Sequence, residues 1–425
     1  MTTFLGFHSE WNLGSPGGWD YQRITQEIAK KVWDRLCDMR PVDIHLDFEH
    51  PLLFPVVGFA EMLLDVHRRR NPSPGDVIAV VAEAETLDTV TENINLANRL
   101  DREEGVTGVL SAPHEFEIRH GTVCHKGRPV SLVFMDFNND VFLRLHRRHD
   151  LSPLIQAVRE NRVLNPRGTE PFNVKSMFEV ITGGFPERFH AETLQRTPWT
   201  RRFFHRSTSG PDGEAIGDLV SWTRSHWQRL VLKPERGYSG IGVRVGDVHP
   251  NADEAIQLAL EKGRYIVQER VPLPLWAEEM PEIDRGSGTI DLVRRQTDFR
   301  CLVGPGKVFG FLGRFGEVPT NVGSGGGVQP VAIISEQVGV RETVRRVNRL
   351  IAGLSFRECC ELEDLQKALA VEERFTYVLG PIKIALRPRL LTVGQLSALD
   401  AYCTAMWKDC LILEKMWHAG VLDDY

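Results

Sequence analysis

The stretch that most constrains this chain runs from Leu230 to Val243, where an apolar strand carries one lysine into a glycine-rich turn. The lysine is Lys233, and Gly237, Gly240 and Gly242 follow it closely. Glycines let the backbone approach an anion and turn its N–H groups towards it, while a lysine supplies a compact positive charge. The pattern predicts a β-hairpin that holds a phosphate group, and a hairpin without a ligand is the alternative that this stretch alone leaves open.

Composition and charge limit the class of protein. The chain has 425 residues, of which 42% are hydrophobic and 25% charged, as expected of a globular protein with two or three domains. A net charge of −6 argues against a general nucleic-acid or membrane-surface binder. Without a long apolar run, a signal-peptide pattern or a cysteine framework, the expected location is a reducing cytoplasm. We expect small-molecule partners, and a homodimer is the default oligomer.

Residues 1–165 show the pattern of an open α/β sheet. Val77–Val81 reads as a buried strand, Leu87–Glu104 as a helix and Val109–Leu110 as a second strand. Such a βαβ unit implies a parallel sheet, to which Arg128–Phe134 adds a further strand. A Gly-x-Gly-x-x-Gly motif does not follow the first clear strand, which argues against a nicotinamide cofactor.

Two polar stretches are candidates for contact with a ligand. Strict alternation over Val42–Glu49 predicts a strand with four acidic or histidine side chains on one face. That face is either the wet side of an edge strand or a ligand-facing surface. Thr197–Gly213 reads as an exposed basic loop, which either is simply solvated or holds an anionic substrate group.

The second half of the chain alternates strands and helices before it becomes mainly helical. A hairpin is predicted where two strands flank Gly304-Pro305-Gly306. In chain order the predicted elements are a helix over Ala252–Lys262, a strand over Tyr265–Val271, hairpin strands over Val293–Val303 and Lys307–Arg314, and helices over Val338–Leu354, Leu362–Phe375 and Val393–Ala419.

The order of several short motifs resembles the ATP-grasp superfamily over about residues 128–331. The motifs are Asn173-Val174-Lys175, Val231-Leu232-Lys233-Pro234 with its glycine-rich hairpin, Gln268–Val271, Asp298-Phe299-Arg300, Arg314 and Thr320-Asn321. The resemblance implies an α/β protein with a Rossmann-like open-sheet domain over 1–165. An ATP-grasp core of two α+β subdomains would follow over 166–345, with a lid at about 228–272. A helical segment over 346–425 would pack on the core as a C-terminal cap.

The resemblance also assigns residues to ATP. Lys175 and Lys233 would hold the phosphates, and a lid would fold over them. A hinge strand would grip adenine, which needs an apolar slot with one donor and one acceptor at its edge. The lid residues are Gly237, Tyr238, Ser239 and Gly240, and the adenine-binding residues are Gln268, Glu269 and Val271.

The activity that the resemblance implies is an ATP-dependent carboxylate–amine ligase. Such enzymes transfer the γ-phosphoryl group to a carboxylate, and an amine then attacks the acyl phosphate, releasing phosphate beside ADP. Arg300, Arg314 and Lys233 would neutralise the negative charge that both steps build on oxygen. The substrates would be a small carboxylic acid or amino acid and an amine, amino acid or peptide. The sequence does not identify the general base.

Two alternative sets of residues are candidates for the magnesium ligands. Asp298, Glu317 and Asn321 are one candidate set, because the Glu-x-Asn that ATP-grasp enzymes usually carry does not follow Asn321. The other set assumes a relation to circularly permuted members, with carboxylates from Val42–Glu49 and Asp136-x-Asn138. Those members and glutathionylspermidine synthases share the kind of sequence seen at Leu164-Asn165-Pro166 to Lys175, and the permuted members also resemble Asn321-x-x-x-Gly325-Gly326.

Two other functions stay open at this point. A phosphotransferase on the same clamp would end at the phosphorylated product, without an amine acceptor. A nucleotide-binding regulatory protein would bind ATP without turnover, and the missing Glu-x-Asn is its main support.

Overall fold

The structure is a computed structural model that describes residues 7–8, 10–73, 75–165, 172–237, 240–271, 279–317, 322, 325–335, 339–377 and 380–423. The described helices are α1 (Trp19–Met39), α2 (Pro55–Arg68), α3 (Thr91–Asp101), α4 (Asn139–His146), α5 (Ser152–Arg159), α6 (Met177–Glu179), α7 (Ala191–Arg196), α8 (Leu219–Ser225), α9 (Ala252–Lys262), α10 (Val340–Ala352), α11 (Phe356–Glu372) and α12 (Val393–His418).

The strands fall into several sheets. They are β1 (Val77–Val81), β2 (Thr107–Ser111), β3 (Phe116–Arg119), β4 (Thr122–His125), β5 (Arg128–Met135), β6 (Thr200–Arg202), β7 (Thr208–Ser209), β8 (Ala215–Ile216), β9 (Leu230–Pro234), β10 (Arg244–Val245), β11 (Tyr265–Glu269), β12 (Glu279–Asp284), β13 (Thr289–Arg294), β14 (Gln296–Gly304), β15 (Lys307–Gly316), β16 (Gly327–Val328), β17 (Val331–Ile334), β18 (Thr376–Tyr377), β19 (Gly380–Pro381), β20 (Lys383–Ile384) and β21 (Arg389–Thr392). The predicted α/β class is confirmed at this level.

The chain divides into two compact units, and each is built from separate segments. Unit 1 consists of Met1–Trp11, Pro171–Pro274 and Ala398–Tyr425, and unit 2 of Asn12–Glu170 and Leu275–Ser397. The three predicted domains follow one another along the chain, whereas the segments of each unit are far apart in sequence.

A five-stranded sheet in unit 2 has the order β2-β1-β5-β4-β3. β1 is parallel to both β2 and β5, and α3 connects β1 to β2. All of β1 is buried, since apolar side chains from α2 and α3 cover one face and those from α4 and α5 cover the other. The predicted βαβ unit and its parallel pairing are confirmed.

A second sheet in unit 2 has the order β14-β15-β16-β20. β14 and β15 form the predicted antiparallel hairpin. Gly306 lies in its turn at φ 71°, a left-handed conformation that glycine adopts without steric cost. Asp298 pairs directly with Arg314 across the two strands, so their side chains share one face of the sheet.

The main sheet of unit 1 is antiparallel, with the order β10-β9-β11-β6. Leu230 and Leu232 belong to the apolar core that this sheet forms with α8 and α9. Lys233 lies opposite Ile266, two residues from Gln268, so Lys233 and Gln268 share the other face. The predicted glycine-rich hairpin and the predicted helix over residues 252–262 are confirmed.

The strand predicted over Val42–Glu49 is wrong. Of these residues, all described, Asp47 alone makes a β-bridge, to Ile333, and the segment is otherwise irregular. Leu46 and Phe48 are buried in the apolar core around α1, α10 and α11. The alternation therefore reflects apolar side chains that are buried from an irregular segment, not from a strand.

The prediction of an exposed basic loop over Thr197–Gly213 is wrong for the first part of the segment, whereas Phe204, His205 and Asp212 are exposed. The segment contains β6 and β7, and Arg201 is only 2% exposed. Its guanidinium donates to the Thr208 hydroxyl at 3.0 Å and to the Ser209 hydroxyl at 3.0 Å. This charge is enclosed because the segment adds a strand to the edge of the unit 1 sheet, beside β11.

The helices predicted in the last third of the chain are present as α10, α11 and α12. Within the described ranges, each helix is either too short or too polar to cross a lipid bilayer.

Candidate functional site

Lys233 and Gln268 form the centre of a polar site in unit 1. The Lys233 ammonium donates to Oε1 of Gln268 at 2.7 Å, as expected of diagonal neighbours on β9 and β11. Gln268 is 1% exposed and donates through Nε2 to the Thr200 hydroxyl on β6 at 2.9 Å. The sheet therefore fixes the lysine through a chain of hydrogen bonds across three strands.

Lys175 reaches the same region from the turn before α6. Its backbone N–H donates to the carbonyl of Glu235 at 3.0 Å, which fixes the turn beside the end of β9. The Lys175 ammonium donates to the carbonyl of Gly237 at 2.9 Å and lies 3.8 Å from a carboxylate oxygen of Glu10. The side chain is only 12% exposed. Lys175 is thus held against the first glycine of the turn.

Both lysine side chains are partly removed from water. Burial lowers the pKa of Lys233 to about 8, the nearby Glu10 carboxylate opposes this shift, and the positive charge of Lys175 adds to it. Burial also lowers the pKa of Lys175, again opposed by Glu10. Two desolvated cations with one carboxylate between them favour a bound anion, because added negative charge would stabilise both charged forms.

The glycine-rich turn has the backbone that close approach to a ligand requires. Gly237, Gly240 and Gly242 have φ values of 127°, 74° and 78°, in the region that favours glycine. A Cβ added at Gly237 would meet nothing within 4 Å, so the turn is open at that point. Two predicted lid residues, Tyr238 and Ser239, lie outside the described residues.

The predicted adenine-binding residues lie at the end of β11. Gln268 is committed to Lys233, and the backbone N–H of Glu269 donates to the carbonyl of Trp199 at 2.8 Å. Burial raises the pKa of the Glu269 carboxyl, so this side chain is partly desolvated. Val271 is half-buried two residues beyond the strand. Glu269 and Val271 therefore lie at or just beyond the end of β11, close in sequence to Gln268, the hydrogen-bond partner of Lys233.

The predicted reacting residues are in unit 2 and form a buried ion pair. Arg314 donates through Nε to one oxygen of Asp298 at 2.8 Å and through Nη2 to the other at 3.2 Å. Both residues are less than 5% exposed. Arg300 shares their strand face and donates through Nη1 to the carbonyl of Gly17 at 2.9 Å. Arg314 thus holds both oxygens of Asp298.

The first predicted metal set does not come together among the described residues. Glu317 is exposed and accepts from Arg295 at 3.0 Å, Asp298 is held by Arg314, and Asn321 lies outside the described residues. In the described ranges, His, Cys, Asp and Glu side chains form no group of three that could hold a metal ion. As placed, Asp298 and Glu317 do not fit a magnesium site, and the metal assignment stays a prediction.

The second predicted set also has other partners. Asp136 accepts from Nδ2 of Asn93 at 2.6 Å, and burial raises the pKa of its carboxyl to about 6. Asn138 caps α4 by accepting from the backbone of Val141 at 3.1 Å. Val42–Glu49 is irregular, as described above. These contacts explain the polar residues after β5 by local structure.

One member of the unit 1 site has no marker in the sequence. Glu10 lies in an irregular segment without periodicity, so only its contact with Lys175 reveals it. The structure brings Lys175 to Gly237 and Lys233 to Gln268 in unit 1, and it pairs Asp298 with Arg314 in unit 2.

Comparison with models of protein families finds no match for this chain, and a search of curated proteins finds no significant match. The structural contacts and the order of motifs are therefore the basis for a functional proposal.

Sequence reasoning also missed a buried acid in unit 2. Glu92, at the start of α3, is 4% exposed and accepts from the backbone N–H of Gly18 at 2.9 and 3.1 Å. It also accepts from the backbone of Asp20 at 3.5 Å, and so caps the first turn of α1. Burial raises the pKa of Glu92 to about 8, the charge of Asp136 adds to the shift, and the hydrogen bonds oppose it.

We expect the contribution of Glu92 to the stability of the protein to fall as pH rises from about 5 to about 8. The folded state holds the Glu92 proton more tightly than the unfolded state, so the free energy of unfolding falls by at most roughly 1.4 kcal/mol per pH unit for this group. Glu92→Gln, which keeps a neutral side chain, should flatten the slope above pH 6 and leave the Asp136 contribution below it.

Urea unfolding at several pH values measures this slope. Glu104→Gln, at an exposed carboxyl after α3, is the matched control and should retain the wild-type slope. An unchanged slope in Glu92→Gln would show that Glu92 is ionised in the folded protein at neutral pH.

Proposed function

We propose that this protein is an ATP-dependent carboxylate–amine ligase of the ATP-grasp type, with a Rossmann-like sheet in its N-terminal half. The observation that carries the proposal is the joint placement of Lys175 and Lys233 beside an open glycine-rich turn. The ordered motifs at Gln268–Val271, Arg300 and Arg314 support it.

The phosphates of ATP would lie against the two lysines. Lys233 is positioned by Gln268, and Lys175 by the turn at Gly237. An anion between them would replace the carboxylate of Glu10 as the main compensating charge. The backbone N–H groups of the glycine-rich turn would add donors, since three positive-φ glycines leave the chain free to turn them inward.

Adenine would lie along the end of β11, beside Glu269 and Val271. Because the Glu269 carboxyl is already partly desolvated, it can accept from an exocyclic amine with little further loss of hydration. This placement leaves the region around Lys233, on the neighbouring strand β9, for the phosphates.

Arg300 and Arg314 would neutralise the oxygens that carry charge during phosphoryl transfer and amine attack. Arg314 is held in position by Asp298, and Arg300 by the carbonyl of Gly17. ATP supplies the activating phosphoryl group. Mg²⁺ is part of the proposal by resemblance alone, because two of its predicted ligands, Asp298 and Glu317, are bonded by arginines.

The test is ADP release from ATP and Mg²⁺ over a panel of amino acids and small carboxylic acids, offered singly and in pairs with amines. We expect ADP only with certain pairs, and its loss in Lys175→Met. Lys262→Met, at the exposed end of α9, is the matched control and should retain activity. No ADP with any pair, or equal loss in both variants, would contradict the ligase.

A regulatory nucleotide-binding protein is the second candidate. The observation that favours it is the engagement of both oxygens of Asp298 by Arg314. ATP binding that persists in EDTA without ADP formation would support this function. A phosphorylated acid that accumulates without an amine would instead identify a phosphotransferase.

A further inference from the structure

Unit 2 contains a cavity of about 600 Å³ that the proposed function does not use. Its walls come from β12, the end of β15, β20 with the residues after it, and α11. Phe315 and Glu317 line it, and because they alternate with Arg314 along the chain, the cavity lies on the opposite face from Arg314. It is therefore a separate site from the buried Asp298–Arg314 pair.

The middle of the cavity is apolar. Met280 and Ile382 are buried in its wall, and Ile283, Phe315 and Ile384 are half-buried there. A volume of this size is in the range that holds a small organic ligand. Apolar side chains that remain partly exposed inside a cavity favour a ligand that also has an apolar body.

One end of the cavity carries excess negative charge. Arg295 donates to both oxygens of Glu282 at 2.6 and 2.7 Å and to Glu317 at 3.0 Å. Two carboxylates therefore share one guanidinium, which leaves a net charge of about −1 at this end. A ligand with an ammonium group would complement this negative charge.

The β20 side carries the opposite charge. Lys383 is an exposed cation on β20, whereas the other lysine of the wall, Lys367, is paired at 3.0 Å with Glu363, a carboxylate that it shares with Arg285. In the sheet, Lys383 pairs with Gly327, which pairs with Phe315. Arg295, which holds the two carboxylates, directly precedes β14, and β14 and β20 are three strand spacings apart, roughly 14 Å.

We infer that this cavity binds a small zwitterion with an apolar side chain, namely a peptide of two or three residues. Its ammonium group would lie beside Glu282 and Glu317, its carboxylate beside Lys383, and its side chain against the apolar wall. Two or three extended residues span roughly 7 to 10 Å, and the charged side chains cover the remaining distance. The inference depends on the chemistry of the cavity and does not require that the protein has the proposed ligase activity.

The test is calorimetric titration of the full chain with dileucine, N-acetyl-dileucine and dileucine amide. We expect dileucine to bind and each blocked form to bind about tenfold more weakly, since each loses one charge-assisted contact. Lys383→Ala should weaken binding of dileucine but not of dileucine amide. Equal affinity for all three peptides, or no binding of any, would overturn the inference.

Two tryptophan variants on α11 place the ligand. Ala370→Trp fills the cavity and should abolish dileucine binding, whereas Ala368→Trp, on the exposed side of the same helix, should not. Equal binding in both variants would place the ligand elsewhere and overturn the inference. ATP binding, measured separately on the same proteins, reports on the unit 1 site, so failure of one proposal is distinguishable from failure of the other.

Discussion

Arg314→Met is expected to lower the free energy of unfolding by about 3 to 5 kcal/mol, because it leaves the carboxylate of Asp298 buried without its guanidinium. The two side chains are 3% and 2% exposed, and two hydrogen bonds join them. Neither water nor a change of rotamer can readily replace those contacts. Urea unfolding followed by circular dichroism measures the loss.

Two controls separate this effect from a general loss of charge. Lys30→Met breaks the exposed pair with Asp34 on α1 and should cost less than about 1 kcal/mol. Asp298→Leu combined with Arg314→Met should cost clearly less than the sum of the single changes, since no unpaired charge then remains in the pair. Additive losses would show that the pair is not coupled.

Lys233→Met is expected to weaken ATP binding by about 10- to 100-fold, the size of one lost charge-assisted contact to a phosphate. Methionine keeps the apolar stem and removes a desolvated cation, so the fold of unit 1 should persist. Calorimetric titration with ATP measures the affinity, and circular dichroism verifies folding. Lys262→Met is the control at an exposed lysine and should bind ATP as the wild type does.

The pH dependence of ATP binding provides a second measure of the same residue. With the pKa of Lys233 lowered to about 8, the lysine is charged below that pH and loses its proton above it. ATP affinity should therefore be level below pH 8 and fall as pH rises through it, and this fall should be weaker in Lys233→Met. An identical profile in the two proteins would place the phosphates away from Lys233.

Much of the fold was predictable because its strong signals are local. Three elements are determined with little help from distant residues. They are the strand at the all-apolar run Val77–Val81, the hairpin at Gly304-Pro305-Gly306 and the helix at the amphipathic pattern over 252–262. Val42–Glu49 failed because alternation also occurs where an irregular segment buries every second side chain.

The candidate site was predictable only where it follows chain order. Lys233 and Gln268 meet because their strands are neighbours, and the sequence predicts a strand at each of the two residues. Glu10 and Glu92 were not predictable, because their roles come from contacts with residues far along the chain. Burial, which raises the pKa of Glu92, leaves no pattern in the sequence either.

The assembly of unit 1 from three distant segments has a consequence for how the protein is made. On the ribosome, residues 171–274 emerge before Ala398–Tyr425, so the lysine-bearing sheet and its apolar core can form before the unit is complete. Trp11 donates to the sulfur of Met406 at 2.9 Å, a contact that closes a loop of nearly the whole chain. The contacts that join Trp11 and His190 to α12 should therefore form late in synthesis, and a contiguous fragment of residues 171–274 should keep the core of its sheet but lack these contacts.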